Sequence, residues 1–153
     1  MNVDFINPFL NAVVNVLKMM TFTDPKPEKP FLKKTNISKG DITGIVGLTG
    51  PVNGSIAVSF SEKAILTIVT NMLGEEFCEI NQEVRDAVGE LSNMICGDAR
   101  RALEAKGYRF QASIPTVIDG KGHTITHVHK GPTLVIPFTI GDAPFFVEAC
   151  FER

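Results

Sequence analysis

Glu90 and Asn93 lie three residues apart in the stretch Asn81–Gly107, NQEVRDAVGELSNMICGDARRALEAKG. On a helix that spacing points both side chains the same way, about one turn apart. The chemistry open to such a pair is narrow. A carboxylate grips an ammonium through a charge-assisted hydrogen bond. A neighbouring carboxamide offers both a donor and an acceptor, so it holds a water in a fixed direction. Neither group is a nucleophile or an obvious base. The pair therefore suits a partner that already brings a reactive group and a metal.

Other chemistry is poorly supported. His123, His127 and His129 share one face of a predicted strand over 123–130, with Ile125 between them. Two-residue spacing on a strand suits Zn²⁺ ligands, but no Cys or acid stands nearby in sequence to complete a set, so an exposed strand face is expected. The three cysteines, Cys78, Cys96 and Cys150, form no C-x-x-C pair and are odd in number, which reads as reduced, mostly buried thiols in a cytoplasm. There is no G-x-S-x-G and no Gly-Lys-Ser/Thr phosphate loop, and the glycines of 44–54 lack a strand–loop–helix context.

The bulk numbers narrow the class further. A chain of 153 residues with 44% hydrophobic content is expected to be one domain, 1–153, with a real core. A net charge of -2 and a pI near 5.9 give no electrostatic case for nucleic acid. No apolar run reaches the roughly 18 residues needed to span a bilayer. The N-terminus is apolar but has no basic region and no clear cleavage site, so it reads as a mature helix and the protein as cytoplasmic.

The elements that must position Glu90 and Asn93 follow from periodicity. Asn81 is a helix N-cap, Glu83 sits in the first turn, and Gly107 is the stop. Val84, Ala87, Val88, Leu91, Ile95 and Ala102 form a broad apolar face, and Asp86, Glu90, Asn93 and Gly97 a narrow stripe opposite. Such a stripe is ordinarily a solvated face. Yet Gly89, Ser92 and Gly97 lie on or beside it, and an internal glycine costs a helix about 1 kcal/mol relative to Ala. A solvated face does not need that cost; a face that another backbone approaches closely does.

Elsewhere, residues 3–20 read as a helix buried on much of its girth, regular from about Pro8, with a polar line of Asn7, Asn11 and Asn15. The run 24–30, with three prolines, reads as an extended connector, and 31–38 as a short polar edge strand. Residues 41–49 and 54–61 flank Gly50-Pro51-Val52-Asn53 as a hairpin. Gly44 and Gly47 within it suggest a bulge or close packing beneath a helix. Ser61 caps a helix over 62–73, stopped by Gly74. Residues 108–118 read as strand broken at Pro115, and 123–130, 133–140 and 144–152 as an antiparallel meander. The fold class is α+β: a largely antiparallel sheet with helices packed on it.

The run Gly89-Glu90-Leu91-Ser92-Asn93-Met94, preceded by Asp86 and followed about twenty residues on by Pro115, resembles the E-x-x-N signature of the CheC/CheX/FliY phosphatases of bacterial chemotaxis. The order of elements fits over nearly the whole chain and is closest to the CheX branch. CheC-like members carry two signature helices. Here no Glu stands three residues before Asn7, Asn11 or Asn15, so one site is expected. The resemblance implies a phosphatase acting on the phospho-aspartate of a CheY-type response regulator. Glu90 would pair with the regulator's lysine and Asn93 would orient the attacking water. Asp86, Gly89 and Gly97 would meet the partner. Mg²⁺ would come from the regulator, with no cofactor in the chain itself. The resemblance also implies a homodimer formed through the sheets, for which the C-terminal strands would supply an edge. The alternative is a non-catalytic CheX-like module that binds a regulator or a flagellar-switch component.

Overall fold

A computed structural model describes residues 3–35, 38, 40–129 and 131–152. The side chain of Val3 and residues 36, 37 and 130, on which parts of the expected first helix, edge strand and histidine strand rested, lie outside the described residues. Along the chain come α1 (Val3–Thr21), β1 (Lys26–Pro27), β2 (Phe31–Leu32), β3 (Ile42–Thr49), β4 (Gly54–Phe60), α2 (Glu62–Leu73), α3 (Gln82–Ala105), β5 (Gln111–Ala112), β6 (Thr116–Asp119), β7 (Thr133–Ile140) and β8 (Ala143–Phe151). All eight strands join one sheet in the order β1-β7-β8-β4-β3-β5, with β2 also on β7 and β6 also on β3. Every pairing is antiparallel. The expected α+β class is the observed one.

Local chemistry explains most boundaries. The side chain of Asn81 accepts from Val84 N at the start of α3, and that of Ser61 from Ala64 N at the start of α2. Asp41 adds a second acceptor for α2, taking Glu62 N at 2.8 Å. Gly74 and Gly107 end their helices with φ of 73° and 91°, a region glycine enters without strain. Pro8 falls inside α1 instead of marking its regular start. Its missing N–H removes one early backbone bond, but Phe5, Ile6 and Phe9 around it are buried and hold the turn. At the other end of α1, Phe22 takes φ 55°. That left-handed conformation costs a residue with a Cβ about 1–2 kcal/mol.

Alternation along the strands sends Ile56, Val58 and Phe60 to one face, with Phe145, Val147 and Phe151 beside them on β8. The three helices cover this face. The rings of Phe138 and Phe145 stack at 5.0 Å, and Phe5 of α1 meets Tyr108 and Phe110 edge-on at 5.0 and 5.4 Å. The aromatic cluster thus ties α1 to the chain that leaves α3. Gly44 faces the same way, and α3 lies directly on it. A methyl group there would run into Ser92 Oγ and come within 3.2 Å of Val88 Cγ1. Of the two alternatives for the strand glycines, close packing beneath a helix is the observed one at Gly44. Gly44→Ala is therefore expected to destabilise the protein by about 1–3 kcal/mol through overpacking, read as a lower urea midpoint with unchanged slope.

The opposite face is not solvated, and here one expectation fails. Residues 123–129 do not form a third meander strand; apart from a single bridge at Thr124 they are a loop. β7 and β8 make a two-stranded hairpin instead. The alternation of histidines imitates a strand, but the outer sides of the two long flanking strands, β3 and β7, are already taken. β5 and β6 occupy the outer side of β3, and β1 and β2 that of β7. The loop folds across the second face, where Ile125 is buried, and its histidines bond downward. This is why β4 is buried at every position.

Two further expectations are modified. The connector 24–30 is extended, but Lys26 and Pro27 pair with Thr139 and Phe138, and the polar edge strand shrinks to Phe31–Leu32. β8 is flanked by β7 and β4, so the C-terminal strand is interior and does not offer a second copy the edge that was expected of it.

Candidate active site

α3 is held on three sides. Val84, Val88, Leu91, Ile95, Ala99 and Leu103 are essentially inaccessible against α1 and the sheet, and a buried side chain of the Leu or Ile type contributes about 1.5–3 kcal/mol. Near its start, Arg85 makes a forked pair with Asp119 of β6, Nε to Oδ1 at 3.0 Å and Nη2 to Oδ2 at 3.2 Å. The guanidinium holds the Asp119 carboxyl below its ordinary pKa. The pair is about a third exposed, so its worth lies in fixing the helix more than in stability. Near the other end, Arg100 Nε donates to Phe110 O at 2.8 Å.

On the side turned away from the core, Asp86, Glu90 and Asn93 are exposed on one ridge, with Gly97 half-buried further along. Asp86 accepts from Gln82 Nε2 at 2.8 Å. Glu90 and Asn93 have no side-chain partner among the described residues. The ridge is thus a rigid helix that presents a carboxylate and a carboxamide with all their hydrogen-bonding capacity unspent. Neither glycine beside them is required by the fold: a methyl at Gly89 would sit 3.7 Å from Val117 Cγ2, and one at Gly97 3.6 Å from Arg101 Nη1, both ordinary contacts.

Two residues of the expected helix faces are misplaced. Ser92 is buried, bonding back to Val88 O at 2.8 Å and resting over Gly44. It is small to fit the sheet, not to clear the outer face. Ala102, expected in the core, is exposed, and Cys96, Ala99 and Leu103 take that role.

Glu90, Asn93 and Gly97 line one wall of a groove of about 380 Å³ whose other wall is α1, with Asn15, Met19 and Met20. Met94 also lines the α3 wall, and Arg101, paired with Asp98 at 3.4 Å, lies further along the same helix. Asp86 and Gly89 belong to the ridge but not to the groove. The contribution of α1 is what sequence reasoning missed. Its signal was the polar line ending at Asn15, but which helix that line would face depends on packing between distant segments.

The other candidates resolve into structure. His123 Nδ1 donates to Gly120 O and its Nε2 shares a hydrogen bond with the Thr43 hydroxyl, both at 2.7 Å. His129 Nδ1 lies 3.1 Å from Glu152 Oε1. His127 Nε2 donates to Glu148 Oε1 at 3.1 Å and its Nδ1 meets Ser55 Oγ, while Lys33 Nζ donates to both Glu148 oxygens at 2.9 and 3.0 Å. Serine, imidazole and acid here do not form a nucleophile with its base. Ser55 is buried and the acid is already neutralised by an ammonium. The expected exposed histidine face is therefore a set of three clips. Among the described residues no three His, Cys, Asp or Glu converge as a metal site. Cys96 and Cys150 are buried and Cys78 exposed, all as free thiols. Burial pushes the Cys96 thiol up to about 12, so it stays protonated and inert. No helix among the described residues is long and apolar enough to cross a membrane.

Residues 42–139 match the family model described as chemotaxis phosphatase CheX. The CheY-P phosphatase CheX of Thermotoga maritima is 27% identical over 141 residues, covering 92% of this chain and 90% of the relative. Among solved structures, a CheC-like superfamily protein from Shewanella sp. PV-4 is 47% identical, with a TM-score of 0.93 and full coverage of both chains. The structure of a CheX–CheY–BeF3–Mg²⁺ complex from Borrelia burgdorferi matches at 29% identity and a TM-score of 0.82, covering 99% of this chain and 100% of that one.

Proposed function

The chain belongs to the CheX family of chemotaxis phosphatases, and from that premise we propose that it hydrolyses the aspartyl phosphate of a CheY-type response regulator. The observation that carries this reading is the ridge of α3: Glu90 and Asn93 one turn apart, exposed, and without partners among the described residues. An acyl phosphate is already activated, so hydrolysis needs positioning and electrostatics and no nucleophile from the enzyme. Glu90 accepts from the ammonium of the receiver's lysine and fixes the two proteins in register. The Asn93 carboxamide oxygen accepts a hydrogen bond from a water and turns its lone pair toward phosphorus. The water oxygen bonds to phosphorus as the bond to the aspartate oxygen breaks. The aspartate leaves as carboxylate, and the water's protons remain with the inorganic phosphate. Mg²⁺, present in the relative's complex, belongs to the receiver in this reading, and no step is assigned to a metal on this chain.

The direct test is purified protein added to a phosphorylated CheY-type receiver. Faster loss of phosphate than from the receiver alone is expected. Tight binding with no faster loss would favour the non-catalytic module instead.

The glycines give a second test. Asp86, Gly89 and Gly97 are assigned to the partner's side of the ridge, with the glycines as clearance. Gly89→Ala fits the isolated fold, so it is expected to raise stability by up to about 1 kcal/mol while raising KM for the receiver severalfold. A variant that gains stability and keeps its full KM would remove Gly89 from the interface.

A further inference from the structure

We propose that the exposed end of α1, carrying Met19 and Phe22, is a second docking lip for the receiver domain, set across the groove from Glu90 and Asn93. The inference rests on the phosphatase reading and deepens it. Met19 is 74% exposed and Phe22 84% exposed, three residues apart where α1 ends. Met19 lines the same groove as Glu90, Asn93 and Gly97. A receiver that seats its phosphoryl group at Asn93 must lay its surface over that groove and against its opposite wall. The docking surface is thus continuous with the proposed reaction site, and this selects the receiver as occupant.

The second observation is the backbone of Phe22. It adopts φ 55°, at a helix end where glycine is the usual solution. An aromatic ring kept there, and turned to solvent, is not explained by the fold. Strain of this kind is retained where a side chain has a task. Aromatic side chains anchor interfaces, and a methionine adapts to the shape of what it meets. Glu90 and Asn93 then act on the chemistry, while Met19 and Phe22 set how long the receiver stays.

The test uses the full chain and a CheY-type receiver activated with beryllium trifluoride and Mg²⁺ for binding, and the phosphorylated receiver for kinetics. Met19→Ser and Phe22→Gly are each expected to weaken binding and raise KM about tenfold, in the range of an interface anchor, with kcat at saturating receiver within twofold of wild type. Phe22→Gly is further expected to keep or raise the melting temperature, because glycine relieves the left-handed backbone. That result separates lost docking from a damaged fold. Unchanged Kd and KM in both variants would overturn the proposal, as would a fall in kcat without a rise in KM. Binding is read independently of turnover. A protein that binds the activated receiver through Met19 and Phe22 but hydrolyses nothing would refute the phosphatase reading and leave the lip standing.

Discussion

Asn93→Ala is expected to lower turnover of the phosphorylated receiver about 100-fold, the order of loss seen when one positioning group is removed or displaced by about an ångström. The melting temperature should not fall. Asn93 is exposed and its side chain has no partner among the described residues, and alanine is the better helix former by a few tenths of a kcal/mol. Activity and stability therefore part company, which a structural role would not allow. Glu90→Ala should behave alike in stability but both raise KM and lower kcat, because it removes a docking contact and also the register that aligns the phosphoryl group with Asn93. The two groups act on one complex, so the double variant should fall little below the worse single one. Asn93→Gln is the sharper control. It keeps the carboxamide but moves it by one methylene, and it should not rescue. The measurement is phosphate release with receiver in excess, corrected for the receiver's own rate. Either alanine variant within about threefold of wild type would remove that residue from the mechanism.

The second large effect concerns stability and lies on the other face of the sheet. Glu148 is 2% exposed, and it faces a Lys33 side chain 10% exposed and a His127 side chain 4% exposed. Burial alone would raise the Glu148 pKa, but the hydrogen bonds and charges of His127 and Lys33 outweigh it, and the carboxyl lies below its ordinary value. Glu148→Ala leaves a buried ammonium without its counter-charge, at a cost of about 3–5 kcal/mol. For a domain of this size that is a fall in melting temperature of about 10 °C. The sign of the pH dependence follows from the lowered pKa. The stabilisation is fully present above the carboxyl's ordinary pKa and is lost as pH falls through the folded value, because protons then bind the unfolded chain more readily. Wild type should therefore lose stability in the acid range below about pH 4.3, and Glu148→Gln should flatten that part of the curve. Turnover per folded molecule should not change, since the cluster is on the face away from α3. An unshifted denaturation curve would show that the clip is not what holds these segments down.

Much of this architecture was legible because its signals are local. Asn81 and Gly107 bracket α3 within a residue or two, Ser61 and Gly74 bracket α2, and the turn at 50–53 fixes the register of β3 on β4. The ridge of Asp86, Glu90 and Asn93 follows from helical phase alone. What was not legible depends on distant segments. Whether 123–129 became a strand was decided by occupancy of the outer sides of β3 and β7, which no window around the histidines records. Ser92 sits at the boundary of two helix faces, and the bare backbone of Gly44, 48 residues earlier in the chain, draws it inward. Lys33 and Glu148 are 115 residues apart. Glu148 in the otherwise apolar run APFFVEACF was a sign of a buried partner, but not of which one. The wall that α1 adds to the groove is of the same non-local kind.

The way the sheet ends has a consequence for how the protein behaves when crowded. One margin is made of two-residue strands, with Pro27 in the first, and the other of strands of two and four residues broken at Pro115. Neither margin, among the described residues, offers a long straight row of unpaired amides and carbonyls. Such rows are the templates on which β-proteins recruit copies of themselves into fibres. Short, proline-interrupted margins deny that template. A chain with 44% hydrophobic residues can then carry exposed Met19 and Phe22 as isolated contacts, with little risk of self-propagating aggregation along its sheet.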